Sequence, residues 1–306
     1  MNFRVVFSLI LIFILSAFIV SKITGLAQKK ELTSPVLGIS KEDISLNTWS
    51  PDMVKDKAFS DAPDITATSA LFVDTATGEV LYAKNPEARL PIASLTKIMT
   101  AIVVLEKKTF DEIFTVSQRA SEMEPDEMVL LPGEKHTLKN LLDGIFLVSA
   151  NDAAEAIAEG ATGRREEFIN LMNSKAVQLG MNNTLFINPT GLEEDNRSQY
   201  STGLDVAIMS RFLIRKWPEI VDISSQPYVY LEKTADHQDY EMYSGINLLT
   251  TYPGVVGLKT GYTPEAGLTL VTLARQNGKE VLGVLLGAVN RRDDAKAMLD
   301  YAFEER

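Results

Sequence analysis

Apolar runs with the two-residue period of a β-strand stand at both ends of the globular part of this chain, and a helical period fills its middle. At the near end Ala70-Leu71-Phe72-Val73 reads as a strand, Thr75-Ala76-Thr77-Gly78 as a turn and Val80-Leu81-Tyr82 as the returning strand of a hairpin. At the far end residues 255–258, 268–274 and 281–286 read as strands. The last two meet at Asn277-Gly278, a pair suited to the left-handed turn of a tight hairpin. Between the two ends, Leu138, Leu141, Leu142, Ile145 and Phe146 mark one helix, and others are predicted over 94–107, 153–158, 166–179 and 205–217. Asn188-Pro189-Thr190-Gly191 breaks this middle as a loop, and a last helix is predicted over 293–303. Strands from both ends share a sheet only by closing around what lies between them. The expected fold is therefore α+β, an antiparallel sheet flanked by helices with a helical subdomain inserted into it.

Ahead of that domain, Arg4 precedes an unbroken run over residues 5–20, almost all large aliphatic or Phe, which Lys22 closes. A positive start and an apolar stretch of this length mark a secretion signal or a short membrane anchor. Gly25-Leu26-Ala27 offers a small-x-small cleavage pattern. Segment 1–27 is expected to carry the chain out of the cytoplasm, 28–65 to be a polar linker and 66–306 to be the working domain. The net charge of −11 and the lack of any Lys/Arg cluster argue against a nucleic-acid partner. With no cysteine, a disulfide, a thiolate metal site and a Cys nucleophile are all excluded. His136 and His237 are the only histidines, so neither a metal centre nor another cofactor is expected.

Three short motifs carry reactive groups. In Ser94-Leu95-Thr96-Lys97 the two end residues lie three apart on one helix face, so the Lys97 amine can reach the Ser94 hydroxyl. A serine hydroxyl needs a neighbouring base, and a lysine can be that base once burial or a second cation lowers its pKa. Free N–H groups at the helix start can stabilise an oxyanion. A Ser-x-x-Lys match alone arises about once by chance in a chain of this length. Ile98, Met99, Ile102, Val103 and Leu105 nevertheless make this helix apolar on most sides, which takes the pair off a wet surface. Ser149-Ala150-Asn151 falls between two helices. There the hydroxyl could pass a proton to a leaving amine and the amide could hold a peptide-like substrate, although helix capping alone would also use these residues. A second copy of that pattern, Ser45-Leu46-Asn47, lies in the linker and is taken as chance. Lys259-Thr260-Gly261 is expected at the end of a strand: Lys supplies charge, Thr a hydroxyl for a carboxylate, and Gly a close approach to the backbone. The plainer alternative there is a strand-end turn with an exposed lysine.

In this order the three motifs are those of penicillin-binding proteins and serine β-lactamases. Ile92-Ala93-Ser94-Leu95-Thr96-Lys97-Ile98-Met99-Thr100-Ala101 resembles the active-site helix of the low-molecular-mass D-alanyl-D-alanine carboxypeptidases, the peptidase S11 family. Thr77-Gly78-Glu79-Val80-Leu81-Tyr82 resembles their first hairpin. Phe186 with Asn188-Pro189-Thr190-Gly191-Leu192 and Tyr200-Ser201-Thr202 resembles their middle loop, and Gly257-Leu258-Lys259-Thr260-Gly261-Tyr262-Thr263 their last motif. The likeness spans roughly residues 70–303.

The resemblance implies a β-lactamase/transpeptidase-like fold, with 66–306 as a D,D-peptidase catalytic domain that needs no cofactor. It implies that Ser94 attacks the carbonyl between two D-alanines, Lys97 takes its proton, Ser149 relays a proton to the leaving D-alanine and Asn151 orients the substrate amide. Lys259 would help keep Lys97 deprotonated and, with Thr260, face the terminal carboxylate, while Gly261 lets the strand come close. The N–H groups of Ser94 and Tyr262 would form the oxyanion hole. The implied partners are peptidoglycan stem peptides, with β-lactams as covalent inhibitors, in the bacterial cell envelope. The sequence stops at Arg306, so residues 5–20 would supply any membrane attachment. Family members often carry His before Tyr-Ser-Thr, where this chain has Gln199. A D,D-endopeptidase would use the same residues. A β-lactamase would add a glutamate after Ser-x-Asn; Glu166 and Asn170 mimic that spacing but are expected at the exposed start of a helix. A non-catalytic β-lactam sensor would have no need of Ser94, Lys97, Ser149 and Lys259 together.

Overall fold

The structure is a computed structural model that describes residues 49–53, 59, 61–194, 197 and 199–304, all within the compact unit Ser45–Arg306. The export segment expected over 1–27 and most of the linker expected over 28–65 lie outside the described residues. Among the described residues no helix is long and apolar enough to cross a membrane.

Strand β1 (Ser69–Asp74) returns through a turn at Gly78 into β2 (Val80–Lys84). A 3-10 turn, Ala93–Leu95, leads into the Thr96–Leu105 helix, whose residues are all buried. A small hairpin, β3 (Ile113–Thr115) with β4 (Lys135–Thr137), precedes helices Leu138–Leu147, Asn151–Thr162, Arg165–Gln178 and Gly203–Lys216. A second hairpin, β5 (Tyr228–Leu231) with β6 (Tyr240–Tyr243), is followed by β7 (Val255–Thr263), β8 (Gly267–Gln276), β9 (Lys279–Ala288) and the Arg291–Phe303 helix. Thr137 and Thr202 start two of the helices by accepting from the backbone N–H groups of Asn140 and Asp205.

The main sheet is antiparallel, in the order β2-β1-β9-β8-β7. The two ends of the domain meet along β1 and β9, from Ser69 opposite Leu286 to Asp74 opposite Val281. Both sheet faces are buried, so the strands are apolar on both sides. Leu71, Val73, Leu273, Leu282 and Val284 face the helical subdomain. Phe72, Leu270, Ala274, Val281 and Leu285 pack on Ala295, Met298 and Leu299 of the last helix. Phe72 sits opposite Gly283, where an added Cβ would lie 2.3 Å from its ring, so the missing side chain makes room for the ring. The turn between β8 and β9 has φ of 51° at Asn277 and 77° at Gly278, as the sequence led one to expect.

Several readings shift. Ser94 lies in the 3-10 turn just ahead of the α-helix rather than inside it. Lys259-Thr260-Gly261 lies inside β7 and not at its end, because Tyr262 and Thr263 keep pairing with Leu268 and Gly267. Within the stretch read as linker, Trp49, Met53 and Phe59 pack against the core, and the Arg211 guanidinium sits 4.4 Å over the Trp49 ring. The small hairpins β3–β4 and β5–β6 went unread because strands of three and four residues carry too little periodicity.

Candidate active site

All three motifs converge on one cleft of about 420 Å³, bordered by Asp126, Ser149, Tyr243, Thr260, Tyr262 and Arg291 among others. Ser94, only 7 % exposed, lies directly behind that lining, its backbone N 2.9 Å from where a Cβ on Gly261 would stand. The fully buried Lys97 amine has three oxygen neighbours: Ser94 Oγ at 2.9 Å, Asn151 Oδ1 at 2.6 Å and the Thr190 carbonyl at 2.6 Å. The last two can only accept. A neutral amine has two N–H bonds and one lone pair. When both N–H bonds go to those carbonyls, the lone pair is left facing the Ser94 hydroxyl. Burial, then the nearby Lys259 charge, holds Lys97 well below the ordinary lysine value of 10.5, while Asp126 and Asp152 pull the other way.

Lys259 reaches across from β7 and donates to Ser149 Oγ at 2.8 Å and to the Thr260 carbonyl at 2.7 Å. Burial brings it down to about 7; Asp126 opposes that shift and Arg291 adds to it. Ser149 has φ of 64° and Ala93 φ of 47°, both in the left-handed region that residues with a Cβ seldom adopt. Such strain persists where surrounding bonds hold the turn in place.

Two backbone approaches complete the floor. A Cβ at Gly261 would lie 2.9 Å from Ser94 N and 2.6 Å from Thr269 Oγ1, so β7 can come this close only with glycine there. A Cβ at Gly191, where φ is 99°, would lie 2.1 Å from the Ala93 carbonyl oxygen. The loop that includes Gly191 is held by Asn188. Its Oδ1 accepts from Gly191 N at 2.9 Å, Thr190 N at 3.2 Å, Thr190 Oγ1 at 3.1 Å and Gln199 Nε2 at 2.8 Å. Gln199 thus supports the loop and does not enter the cleft lining.

Every residue singled out in the three motifs lies at this cleft or directly beneath it. Three others were missed. The Thr190 carbonyl binds Lys97, but a main-chain oxygen leaves no mark on residue type. Arg291 borders the cleft and donates to the Gly261 carbonyl at 2.8 Å, yet its sequence setting is that of any charged helix start. Asp126 stands in a loop whose glutamates concealed it. Glu166 and Glu167 are exposed on the Arg165–Gln178 helix and do not border the cleft, as expected.

The chain belongs to the D-alanyl-D-alanine carboxypeptidase family, peptidase S11, which matches residues 56–290. It is 39 % identical over 248 residues to D-alanyl-D-alanine carboxypeptidase DacF of Bacillus subtilis, a match that covers 78 % of this chain and 62 % of that protein. The chain therefore spans less than two thirds of that relative's length. It is 35 % identical over 237 residues to the D-alanyl-D-alanine endopeptidase of Pseudomonas aeruginosa, covering 74 % of this chain and 73 % of that one. Penicillin-binding protein D2 of Listeria monocytogenes, solved in a cefotaxime-bound form, superposes with a TM-score of 0.68 at 31 % identity over 79 % of this chain and 99 % of that one.

Proposed function

We propose that this protein is a serine D,D-carboxypeptidase that removes the terminal D-alanine from peptidoglycan stem peptides. The observation that carries the reading is the Lys97 amine, whose two N–H bonds have carbonyl acceptors and whose lone pair is left for Ser94. In this reading Ser94 Oγ bonds to the penultimate D-alanine carbonyl carbon as Lys97 takes the hydroxyl proton. The N–H groups of Ser94 and Tyr262 hold the oxyanion. Ser149 hands a proton to the departing amine and regains the one that Lys97 took, the C–N bond breaks and D-alanine leaves. Water then attacks the ester as Lys97 takes its proton, and that proton passes to Ser94 Oγ as the shortened peptide goes. Lys259, Thr260 and Arg291 form the cationic side of the cleft and suit a terminal carboxylate, and Asn151 offers its amide to the peptide.

The apolar run at 5–20 fits export, with residues 66–306 as the catalytic domain acting in the cell envelope, either released or held at the outer face of the cytoplasmic membrane. β-Lactams would trap Ser94 as a stable ester. The similarity to a protein named as an endopeptidase keeps cleavage of D,D cross-links as the second reading.

The test uses benzylpenicillin and intact mass. An adduct of one drug mass, lost in Ser94→Ala, together with D-alanine release from a pentapeptide, supports the reading. Fast drug hydrolysis without a lasting adduct points to a β-lactamase, and an intact drug with no adduct removes Ser94 as a nucleophile. Release of cross-linked dimers to monomers faster than D-alanine release would favour the endopeptidase.

A further inference from the structure

One carboxylate at the cleft has no part in that chemistry. Asp126 borders the cleft on a loop fastened to the start of the Asn151–Thr162 helix. Asn151 N donates to the Asp126 carbonyl at 2.7 Å, and Asn151 Nδ2 to that of Pro125. The buried Asp152 carboxylate accepts from Met128 N at 3.1 Å and Leu130 N at 3.0 Å. These bonds fix the loop against the helix that carries Asn151, so the Asp126 side chain has a set place at the rim.

A φ of 57° explains part of the choice of residue, because Asp and Asn tolerate the left-handed region. It does not explain the charge, since asparagine would make the same turn. The carboxylate is exposed, and among the described residues no side-chain hydrogen bond or ion pair engages it. It lies near enough to Lys97, Lys259 and Arg291 for its charge to act on all three. The cleft thus sets Arg291 and the buried Lys259 on one side against an exposed carboxylate at the rim. In a chain of net charge −11, an anion beside a site built for a substrate carboxylate is unfavourable unless it meets a cation.

We infer that Asp126 is a specificity residue that receives an ammonium group of the substrate, selecting stem peptides with a free side-chain amine. The inference rests on the cleft being a D,D-peptidase site, and the test separates the two. D-alanine release is measured with the full chain on Nα-acetyl-Lys-D-Ala-D-Ala and on the same peptide acetylated at Nε. An exposed ion pair predicts a preference of about three- to fivefold in kcat/KM for the free amine, carried in KM. That preference shrinks as salt is raised. In Asp126→Asn the ratio falls to about one, and Asp126→Glu keeps part of it. Penicillin labelling of each variant shows that it is folded. Equal rates on the two peptides in the native chain, or an unchanged ratio in Asp126→Asn, overturns the inference. A variant that slows both peptides alike also overturns it, since Asp126 would then act only through the lysine charges. Release from neither peptide by the native chain would instead sink the D,D-peptidase reading itself.

Discussion

At the scale of residues, two buried lysines divide the work by environment. Both lose affinity for a proton through burial, and each has a cation beside it, Lys259 for Lys97 and Arg291 for Lys259. Lys97 therefore titrates in answer to the charge on Lys259. Lys259→Gln removes that charge, so Lys97 binds its proton more tightly and the acid limb of acylation moves to higher pH. Each pH unit of that shift costs about tenfold in rate at a fixed pH below the limb. The check is the pH profile of benzylpenicillin acylation in both proteins; a limb that stays in place would show that the two amines are uncoupled. Ser94, Lys97 and Lys259 were legible because their side chains meet one another or the neighbouring motif, so residue type marks them. The third bond to Lys97 was not, because the Thr190 carbonyl is main chain and only the fold brings it there. Gly191 can be judged the same way. An alanine there would place a methyl group 2.1 Å from the Ala93 oxygen at φ 99°, so Gly191→Ala is expected to lose more than about 2 kcal/mol and most of its penicillin labelling. Thermal melting and labelling together check it, and a variant that melts and labels like the native chain refutes it.

At the scale of elements, the long pieces were readable and the short ones were not. Strands β8 and β9 run for ten residues each, are apolar on both faces through their middles and share an Asn-Gly turn, and it is that turn which made their pairing readable. The β3–β4 and β5–β6 hairpins are set by tertiary contacts instead. The Asn188 loop belongs with them. Its sequence marks a turn, yet its use is to press the Thr190 and Gly191 backbone against the Ser94 turn. Asn188→Ala would leave Gly191 N and the Gln199 amide without the acceptor they share, at about 1–3 kcal/mol for each buried orphan. The expected outcome is a loss of about 2–4 kcal/mol in urea unfolding and slower acylation as the Thr190 carbonyl loses its place over Lys97. A loss under about 1 kcal/mol would mean that the loop is held some other way. On the sheet, Gly283→Val would push into the Phe72 ring and is expected to cost about 1–3 kcal/mol while leaving penicillin labelling in place. Equal stability of that variant in urea would show that the ring has room to move.

At the scale of the whole molecule, the sheet closes the chain from both ends, and a separate polar cluster joins the two small hairpins beside the cleft. Both histidines are in it. His136 on β4 stacks on His237 with ring centroids 4.5 Å apart, and its Nε2 lies 3.4 Å from Glu134 Oε2. Glu134 also accepts from Tyr240 OH, and at 2.9 Å from Gln238 N. Gln238 Nε2 reaches the Val129 carbonyl at 3.3 Å, on the loop that carries Asp126. Burial holds His136 below its ordinary 6.5, and the His237 charge adds to this, while the Glu134 bond opposes it. The unfolded chain therefore takes up a proton near pH 6.5 that the folded chain resists, and this contribution to stability falls as pH drops below that value. Other groups have different signs. Burial raises Asp143, Asp152, Glu155 and Asp205, so they favour the folded state as pH falls. Glu134 is lowered by its hydrogen bonds, which outweigh its own burial, and it loses its contribution only below the usual 4.5. The histidine effect is isolated by the difference between native protein and His136→Gln in urea midpoints from pH 7.5 to 5.5. The native chain is expected to lose stability relative to the variant across that range, most steeply just below pH 6.5. Parallel curves would mean that His136 takes its proton as readily in the folded chain as in the unfolded one, and that the stacked pair is no barrier to acid.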